Sequence, residues 1–481
     1  TYPRVKCTAF AKKRGYFRFK STPTPLLFYG IYKMKTGQFI KPLQRLYKRR
    51  VDSSVLLFLA AVAAVIIANI PSVSGLYNQL LQYPIMVQIG EFNIFSHAGE
   101  TMTLLDFTND VLMVLFFLQV GLEIKQEGLV GELSTLRRAV FPVVGAIGGM
   151  IMPVLFFLLV CHEAPASNGM AIPMATDIAF ALAVLSLLGK RVPSSLKAFL
   201  ASLAVADDIG GILVIAIFYS THLNLMMLLW AALCLGAIYL LGRLGVRSLL
   251  VYYIGAFVVW TFFLKSGVHT TIAGVLVAFL VPARPKLSTD NMADRMRTML
   301  RLLPESEHKT RGKNVLLPHQ QIAVVHSMAQ DVRGAVSPVQ RMEQQITPIV
   351  HFIVLPLFAF VNAGVAFGGV SVESLVGVPL AIVLGLLLGK PLGIFLFSIV
   401  FAKLSKGGLP QGMTTTNLLA LSCLGGIGFT VALFVSSLSY AQPEVAHFLN
   451  DAKIGIFTGS ILSGILGYFF LKAVLKHEHH G

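Results

Sequence analysis

Charged residues are scarce in this chain. Only 13% of its 481 residues are Asp, Glu, Lys or Arg, whereas 55% are hydrophobic and the mean hydropathy is +0.75. Soluble globular domains carry roughly twice that share of charge, about 25%. The composition therefore excludes an ordinary soluble domain and predicts a polytopic membrane protein.

Cysteine is also rare. The four cysteines, Cys7, Cys161, Cys234 and Cys423, lie far apart and match no spacing typical of a metal site or a redox motif. We therefore expect them to be packing residues, and we expect the protein to need no cofactor.

Acidic residues are absent from the first 50 positions, which hold 14 of the 39 basic residues. The formal charge of +17 is thus concentrated in an N-terminal arm, because the other 25 basic residues are nearly balanced by 22 acidic ones. This distribution favours a cytoplasmic segment that touches anionic lipid over a protein that binds nucleic acid. Translation is expected to begin at Met34, with residues 1–33 untranslated or disordered, although an acid-free, Arg-rich leader is also typical of an organellar transit peptide.

Apolar runs of membrane-spanning length recur from Ser54 onward. Loops that carry Lys or Arg alternate with loops that nearly lack them, which predicts that both termini are cytoplasmic. Twelve transmembrane helices are predicted, at residues 54–70, 104–122, 139–160, 169–188, 196–219, 224–241, 249–264, 267–281, 348–367, 375–401, 416–438 and 454–474.

Two loops are unusually long. Residues 71–103 are predicted to form a small external structure. Residues 284–345 carry 10 basic and 6 acidic side chains and are predicted to be a cytoplasmic insertion, either a flexible linker or a regulatory or interfacial segment. Together these segments and the spans form one membrane domain, 51–475, followed by a short tail, 476–481.

Two adjacent carboxylates, Asp207 and Asp208, interrupt the apolar run ASLAVADDIGGILVIAIFY (201–219). A carboxylate near the bilayer centre costs about 3 kcal/mol on insertion scales, so the pair needs compensation. Neighbouring positions on a helix point about 100° apart, so one carboxylate can face an ion while the other faces a partner. A buried ion pair or a helix cap is the structural alternative.

Two spans contain helix-breaking residues at mid-depth. Pro173 precedes Asp177 in GMAIPMATDIAFALAVL, and Gly425, Gly426 and Gly428 occur in LSCLGGIGFTVALFV. Interrupted helices in two halves of a chain are typical of transporters with internal repeats, where the breaks meet at a midplane site. Close packing through small residues is the alternative for the glycines.

Lys390 is a lone cation in the apolar run LGLLLGKPLGIFLF. A lysine at this depth needs a carboxylate, and Asp207 or Asp208 is the natural partner. His269, at the start of another span, is either a helix-end hydrogen bonder or a proton carrier. The other ionisable residues within or beside apolar runs are Asp106, Asp110 and Glu123.

Seven stretches occur in the order found in one family, and together they resemble the NhaA-type sodium/proton antiporters. The resemblance covers about Arg50 to Leu471. It implies twelve helices arranged as inverted repeats, with two crossed discontinuous helices. The stretches are FFLQVGLEIKQE (116–127), ATDIAFALAV (175–184), VADDIGGILVIAIFY (205–219), LKSGVHTTIAG (264–274), LPLFAFVNAGV (355–365), LGKPLGIF (388–395) and GGIGFTVALF (425–434).

The resemblance also implies roles for individual residues. Asp208 would be the main Na⁺ ligand, Asp207 the titrating partner that pairs with Lys390, and Thr176 a further oxygen ligand. Asp177 and Lys390 would balance the dipole ends where the two broken helices cross.

A second group of residues is implied to act in the cytoplasmic entrance and in the response to pH: Glu123, Glu127, Glu343 and His269. Gln344 and Thr347 stand where many relatives have histidine. The pH at which this chain becomes active is therefore expected to differ from theirs.

The function implied is electrogenic, pH-regulated exchange of Na⁺ or Li⁺ for H⁺ across a bacterial inner membrane, by a homodimer and without enzymatic activity. The alternatives are an exchanger with altered selectivity, for K⁺, and a cation channel, although no stretch repeats as a filter loop. An intramembrane aspartyl protease is disfavoured because adjacent residues on one helix cannot face each other as a dyad.

Overall fold

The computed structural model describes residues 53–89, 92–93, 95–97, 100–219, 223–301, 319–367, 375–405, 408–410 and 412–478. The predicted N-terminal arm, including the expected start at Met34, lies outside the described residues.

Fifteen helical elements carry the described chain, and two of them are interrupted. Their bounds are α1 Ser53–Asn69, α2 Pro71–Leu81, α3 Leu104–Leu129, α4 Leu136–Val160, α5a Ala166–Met174, α5b Ile178–Leu187, α6 Ser194–Phe218, α7 Leu225–Arg243, α8 Leu249–Ser266, α9 Thr271–Leu280, α10 Thr289–Arg301, α11 His319–Ala335, α12 Pro338–Asn362, α13 Val378–Leu404, α14a Thr415–Gly425, α14b Phe429–Ser439 and α15 His447–Glu478.

Within the described residues, eight helices are long and apolar enough to cross a membrane, or up to eleven if each bent pair is one span. The bent pairs are α1 with α2, α5a with α5b, and α14a with α14b, at angles of 117°, 45° and 46°. Each predicted apolar run coincides with one of these elements or with α9, which has only ten residues. The chain is thus a helical, polytopic membrane protein; the count of twelve spans and the crossed, inverted-repeat arrangement stay predictions.

Among the described helices, three contain a turn of π-helix, in which one extra residue is accommodated. These turns are Thr108–Leu112 in α3, Val350–Val354 in α12 and Gly385–Gly389 in α13. Each widens the helix locally and changes the direction in which the following side chains point.

Helices α4 and α13 pack along each other and form the support for the site. Glycines allow the close approach: a Cβ atom at Gly148 of α4 would overlap the carbonyl oxygen of Gly393 of α13, and the reverse also holds. Such small-residue contacts are typical of helices packed in a membrane, where hydrophobicity alone does not join them.

The segment 71–103 contains α2 and two short hairpins in its described part. Strand β1 (Gln88–Ile89) pairs with β2 (Phe92–Asn93), and β3 (Ser96–His97) pairs with β4 (Glu100–Thr101), all antiparallel. The placement of this segment outside the membrane stays a prediction.

The segment 284–345 contains the helices α10 and α11, which are joined by a salt bridge of 2.9 Å between Arg295 and Asp331. Its last residues are already part of α12, which begins at Pro338, ten positions before the predicted start of that span. A capping box of Ser337 and Gln340 starts this helix. The early start places Glu343 on a membrane-entering helix rather than in a loop.

Candidate functional site

The paired aspartates lie on α6 and face different surroundings. Asp207 is buried, with 3% of its surface exposed, whereas its neighbour Asp208 is half-buried. Because adjacent helical positions diverge by about 100°, the two carboxylates contact different groups. Asp207 faces α13, and Asp208 faces a small internal cavity.

Lys390 neutralises Asp207. Its Nζ lies 2.7 Å from Oδ2 of Asp207, and the lysine side chain has no exposed surface. The ammonium also donates a hydrogen bond to the carbonyl oxygen of Met174, the last residue of α5a. A cation at the C-terminal end of a helix is favourably placed, because the unpaired carbonyls there carry partial negative charge.

Thr176 joins the two interrupted spans to the aspartate. Its Oγ1 lies 2.7 Å from Oδ2 of Asp207 and 3.0 Å from the carbonyl oxygen of Gly425, where α14a ends. The backbone of Asp177 donates to the carbonyl of Ile427 at 2.6 Å. The unwound stretches of both spans therefore satisfy each other's backbone groups, as buried irregular backbone requires.

Asp177 caps both of the helices that follow the breaks. One carboxylate oxygen accepts from the backbone N–H of Phe180 in α5b at 3.1 Å. The other accepts from the backbone N–H of Thr430 in α14b at 3.1 Å and from its hydroxyl at 2.5 Å. One buried anion thus serves two helix N-termini, where the helix dipole favours negative charge.

The residues predicted to break the spans lie at or beside the gaps. Pro173 is inside α5a, a 3₁₀ helix that ends one residue later, and extended backbone follows. Gly425 ends α14a, while Gly426 and Gly428 lie in the gap. A Cβ atom at Gly426 would overlap the carbonyl oxygen of Leu386 in α13, so this break also depends on a close approach.

A cavity of about 20 Å³ opens between the two aspartates and the broken spans. It is lined by both carboxylates and by apolar side chains that include Phe117, Met174 and Val431. This volume is just enough for one water molecule. Oδ1 of Asp207 is buried without a hydrogen-bond partner in the described part of the chain, and Asp208 makes no hydrogen bond or salt bridge to a described residue.

Three glutamates predicted to act at the entrance lie on α3 and α12. Oε1 of Glu123 accepts from the amide of Gln119 at 2.7 Å. Glu127 accepts from Ser202 of α6 at 3.1 Å, and Glu343 accepts from Gln126 at 2.5 Å. The charge of Glu123 acts on Asp208, and the charge of Glu343 acts on Glu123, so this glutamate belongs to the same electrostatic group as the paired aspartates.

His269 contacts residues other than these glutamates. Its Nε2 lies 3.7 Å from Oδ1 of Asp110, Nδ1 contacts Thr271 at 2.8 Å, and its ring packs on Phe434. The structure therefore joins His269 to another acidic residue of α3, at the end opposite Glu123.

Sequence reasoning missed two polar residues that contact Glu123 directly or through one side chain. Gln119 binds the glutamate, and His351 of α12 lies 3.1 Å from the same amide nitrogen. His351 falls within the predicted span 348–367, so the criterion that selected His269, an ionisable residue in an apolar run, would also have found it.

Comparison with known proteins agrees with this architecture. The chain matches the family model described as Na⁺/H⁺ antiporter 1 over residues 44–471. A Na⁺/H⁺ antiporter NhaA of Porphyromonas gingivalis is 55% identical over 92% of this chain and 98% of its own length. Proteins of the same name from Parabacteroides distasonis and Salmonella arizonae are 50% and 40% identical, each over 91% of this chain and 97% and 99% of their own lengths. The chain therefore belongs to the Na⁺/H⁺ antiporter 1 family and is a multi-pass protein of a bacterial membrane.

Proposed function

We propose that this protein extrudes Na⁺, and Li⁺ in its place, in exchange for H⁺, with both ions competing for the carboxylates of Asp207 and Asp208. The observation that carries the proposal is a pair of adjacent carboxylates, one buried and one half-buried, beside a cavity of single-ion size, with the buried Oδ1 of Asp207 left without a hydrogen-bond partner among the described residues. Buried polar groups in proteins are otherwise almost always hydrogen-bonded.

Asp208 is proposed as the main ligand of Na⁺, and Thr176 and Oδ1 of Asp207 as further oxygen ligands. Small alkali cations prefer hard oxygen donors, and carboxylate and hydroxyl oxygens are of that type. The larger K⁺ is the alternative cargo, since a cavity that holds one water molecule does not separate these cations by size.

Competition between ions couples the two fluxes. In a site shielded from water a carboxylate favours its protonated form, and a bound cation favours the ionised form. At alkaline cytoplasmic pH the pair loses protons and binds Na⁺. When the site faces the outside, the higher proton activity there displaces Na⁺, and the protonated carrier returns.

The charges of the site in its two states imply that the exchange is electrogenic. With both aspartates ionised, Lys390 protonated and Na⁺ bound, the three side chains and the ion sum to zero. With both aspartates protonated, the same group carries one positive charge. One Na⁺ thus leaves for two H⁺, and the membrane potential helps to drive the exchange.

We infer that both termini are cytoplasmic in the inner membrane, and that Glu123, Glu127 and Glu343 line the cytoplasmic entrance and contribute to pH regulation. His269 with Asp110 belongs to the opposite end of α3. The hairpins of 71–103 are an external surface on which two copies could pair as a homodimer.

The direct test uses everted membrane vesicles from a host that lacks its own Na⁺/H⁺ antiporters. A pH-sensitive dye is quenched by respiration-driven acidification, and Na⁺, Li⁺ or K⁺ is then added across neutral to alkaline pH. We expect dequenching by Na⁺ and Li⁺, rising with pH, and none by K⁺. Dequenching by K⁺ alone would replace the proposal with a K⁺/H⁺ exchanger.

The variant Asp208→Asn identifies the site. It should insert normally, because it removes only a charge, and it should lose exchange. Asp451→Asn is the matched control, since this partly buried aspartate lies at the start of α15 and is not part of the site. Sodium-dependent proton flux that persists in the Asp208→Asn vesicles would exclude Asp208 as the ligand.

A further inference from the structure

A line of hydrogen bonds connects the start of α1 to Glu123. Oγ of Ser53 lies 3.3 Å from Nδ1 of His351, and Nε2 of His351 lies 3.1 Å from Nε2 of Gln119. The same amide nitrogen lies 2.7 Å from Oε1 of Glu123. Gln119 is therefore the only link between the histidine and the glutamate in this line.

The chemistry of an amide fixes what its two neighbours can be. The NH₂ group of Gln119 only donates, so Nε2 of His351 and Oε1 of Glu123 must both accept. This arrangement requires a neutral imidazole with its proton on Nδ1, facing the hydroxyl of Ser53. Oε1 of Gln119 is buried and has no partner in the described part of the chain, so these two contacts alone hold the amide in its orientation.

Protonation of His351 breaks this arrangement. An imidazolium donates from both nitrogens, so its Nε2–H would face the NH₂ group of Gln119, and two donors cannot bond. If the amide turns its oxygen to the imidazolium, Glu123 must gain a proton to bond that oxygen. If the amide leaves instead, the ionised Glu123 pairs with the cation. Either response removes the free negative charge of Glu123.

The turn of π-helix Val350–Val354 presents His351 to this line, and π turns are frequent at functional sites. Helices α1 and α3 pack against the turn. The described residues of α1 include no ionisable side chain, and α12 contributes Glu343 and Arg341. On the same part of α3, Lys125 donates to the carbonyls of Phe279 in α9 and of Val281 just after it, and Glu127 accepts from Ser202. Glu123 is therefore the acid of α3 that contacts this line of hydrogen bonds.

We propose that His351 is the proton sensor of this antiporter and acts through Gln119 to set the charge of Glu123. A neutral histidine keeps Glu123 anionic and held by Gln119, where its charge attracts cations toward Asp208. A protonated histidine leads to neutralisation of Glu123 and so removes this attraction. The inference deepens the proposed function, because it assigns the pH response of the same site to a residue one helical turn beyond Thr347.

The experiment compares His351→Gln with the wild type in everted vesicles, where the cytoplasmic face is exposed to the titrated buffer. Glutamine can keep a hydrogen bond to Gln119 but cannot gain a proton. Without the acid-induced cation, Glu123 should stay anionic at lower pH. We expect the pH of half-maximal Na⁺/H⁺ exchange to move toward acid by at least about half a unit, with the rate at alkaline pH within twofold of wild type.

Two further variants separate sensing from structure. Gln119→Leu breaks the link and also removes the donor that stabilises the anionic Glu123. Its profile should therefore not shift toward acid, and adding His351→Gln to it should cause no further shift. His162→Gln, at an exposed histidine after α4, should leave the profile unchanged. An unshifted or alkaline-shifted profile in His351→Gln, in vesicles whose wild type exchanges Na⁺, would overturn the sensor while leaving the antiport proposal standing. Absence of exchange in the wild type would instead count against the antiport itself.

Discussion

The Nζ atom of Lys390 lies 2.7 Å from Oδ2 of Asp207, and both side chains are buried. Neither charge has another opposite charge in contact among the described residues. Because a lone buried charge is costly, each member depends on the other. If Na⁺ binds Asp207 as proposed, it should weaken this contact and so couple the stability of the fold to occupancy of the site.

Replacement of Lys390 by Ala should destabilise the protein. The change leaves Asp207 buried without its cation, and loss of one partner of a buried pair costs about 3–5 kcal/mol. We expect a clear fall in the melting temperature of the purified protein in detergent. Lys403→Ala, at an exposed lysine in the last turn of α13, should change stability by less than about 0.5 kcal/mol.

The double variant Asp207→Asn with Lys390→Gln provides the check on this explanation. If the penalty comes from an unpaired charge, the double variant should be more stable than Lys390→Ala. A double variant that melts at the temperature of Lys390→Ala or below it would show that the lysine stabilises the fold by packing alone.

Removal of the Thr176 hydroxyl should weaken sodium binding more than it weakens the fold. Thr176→Val keeps the shape of the side chain but loses the contact with Asp207 and with the carbonyl of Gly425. A hydrogen bond to a charged group contributes about 1.5–3 kcal/mol. We therefore expect the apparent KM for Na⁺ to rise about tenfold or more, whereas Thr176→Ser should stay close to wild type. Equal KM values in Thr176→Val and the wild type would exclude the hydroxyl as a ligand.

The positions of the spans could be predicted from sequence because hydrophobic length is a property of consecutive residues. The start of α12 could not, since Arg341, Glu343, Gln344 and Gln345 interrupt the apolar run over its first turns. The capping pair Ser337 and Gln340 was the available signal for that start. Hydropathy detects apolar runs, and the polar first turns of α12 come before its apolar run begins.

The sequence also allowed the residues of the candidate site to be selected, but it did not predict which of them are in contact. Asp207, Asp208 and Lys390 are conspicuous as charges in apolar runs. Which aspartate pairs with Lys390 depends on how α6 and α13 are rotated about their axes, a feature of packing between distant segments. The Met174 carbonyl is available to Lys390 because α5a ends at that residue. The exact residue at which a helix ends is the least predictable aspect of any helix.

Removal of the Asp177 carboxylate should destabilise two helix starts at once. In Asp177→Ala both α5b and α14b lose their side-chain acceptor, and each lost cap costs about 1 kcal/mol or more. Thr430→Val removes only the hydroxyl contact, so it should cost less than Asp177→Ala. Thermal unfolding of the three proteins in one detergent measures this order. Equal melting temperatures for Asp177→Ala and wild type would mean that the breaks are held by backbone contacts alone.

The glycine contact between α4 and α13 should be required for the position of Lys390. A methyl group at Gly148 would overlap the carbonyl of Gly393, which lies three residues after the lysine, so the helices must separate or the substitution must be absorbed as strain. Overpacking of this kind costs about 1–3 kcal/mol. We expect Gly148→Ala to lower both the melting temperature and the rate of Na⁺/H⁺ exchange, because separation of the helices moves Lys390 away from Asp207.

Gly236→Ala on α7 is the matched control, since a Cβ atom there meets nothing within 4 Å, and alanine favours the helix by about 1 kcal/mol over glycine. If Gly148→Ala lowers stability but leaves exchange at the wild-type rate, the α4–α13 contact holds the fold together without setting the geometry of the ion pair.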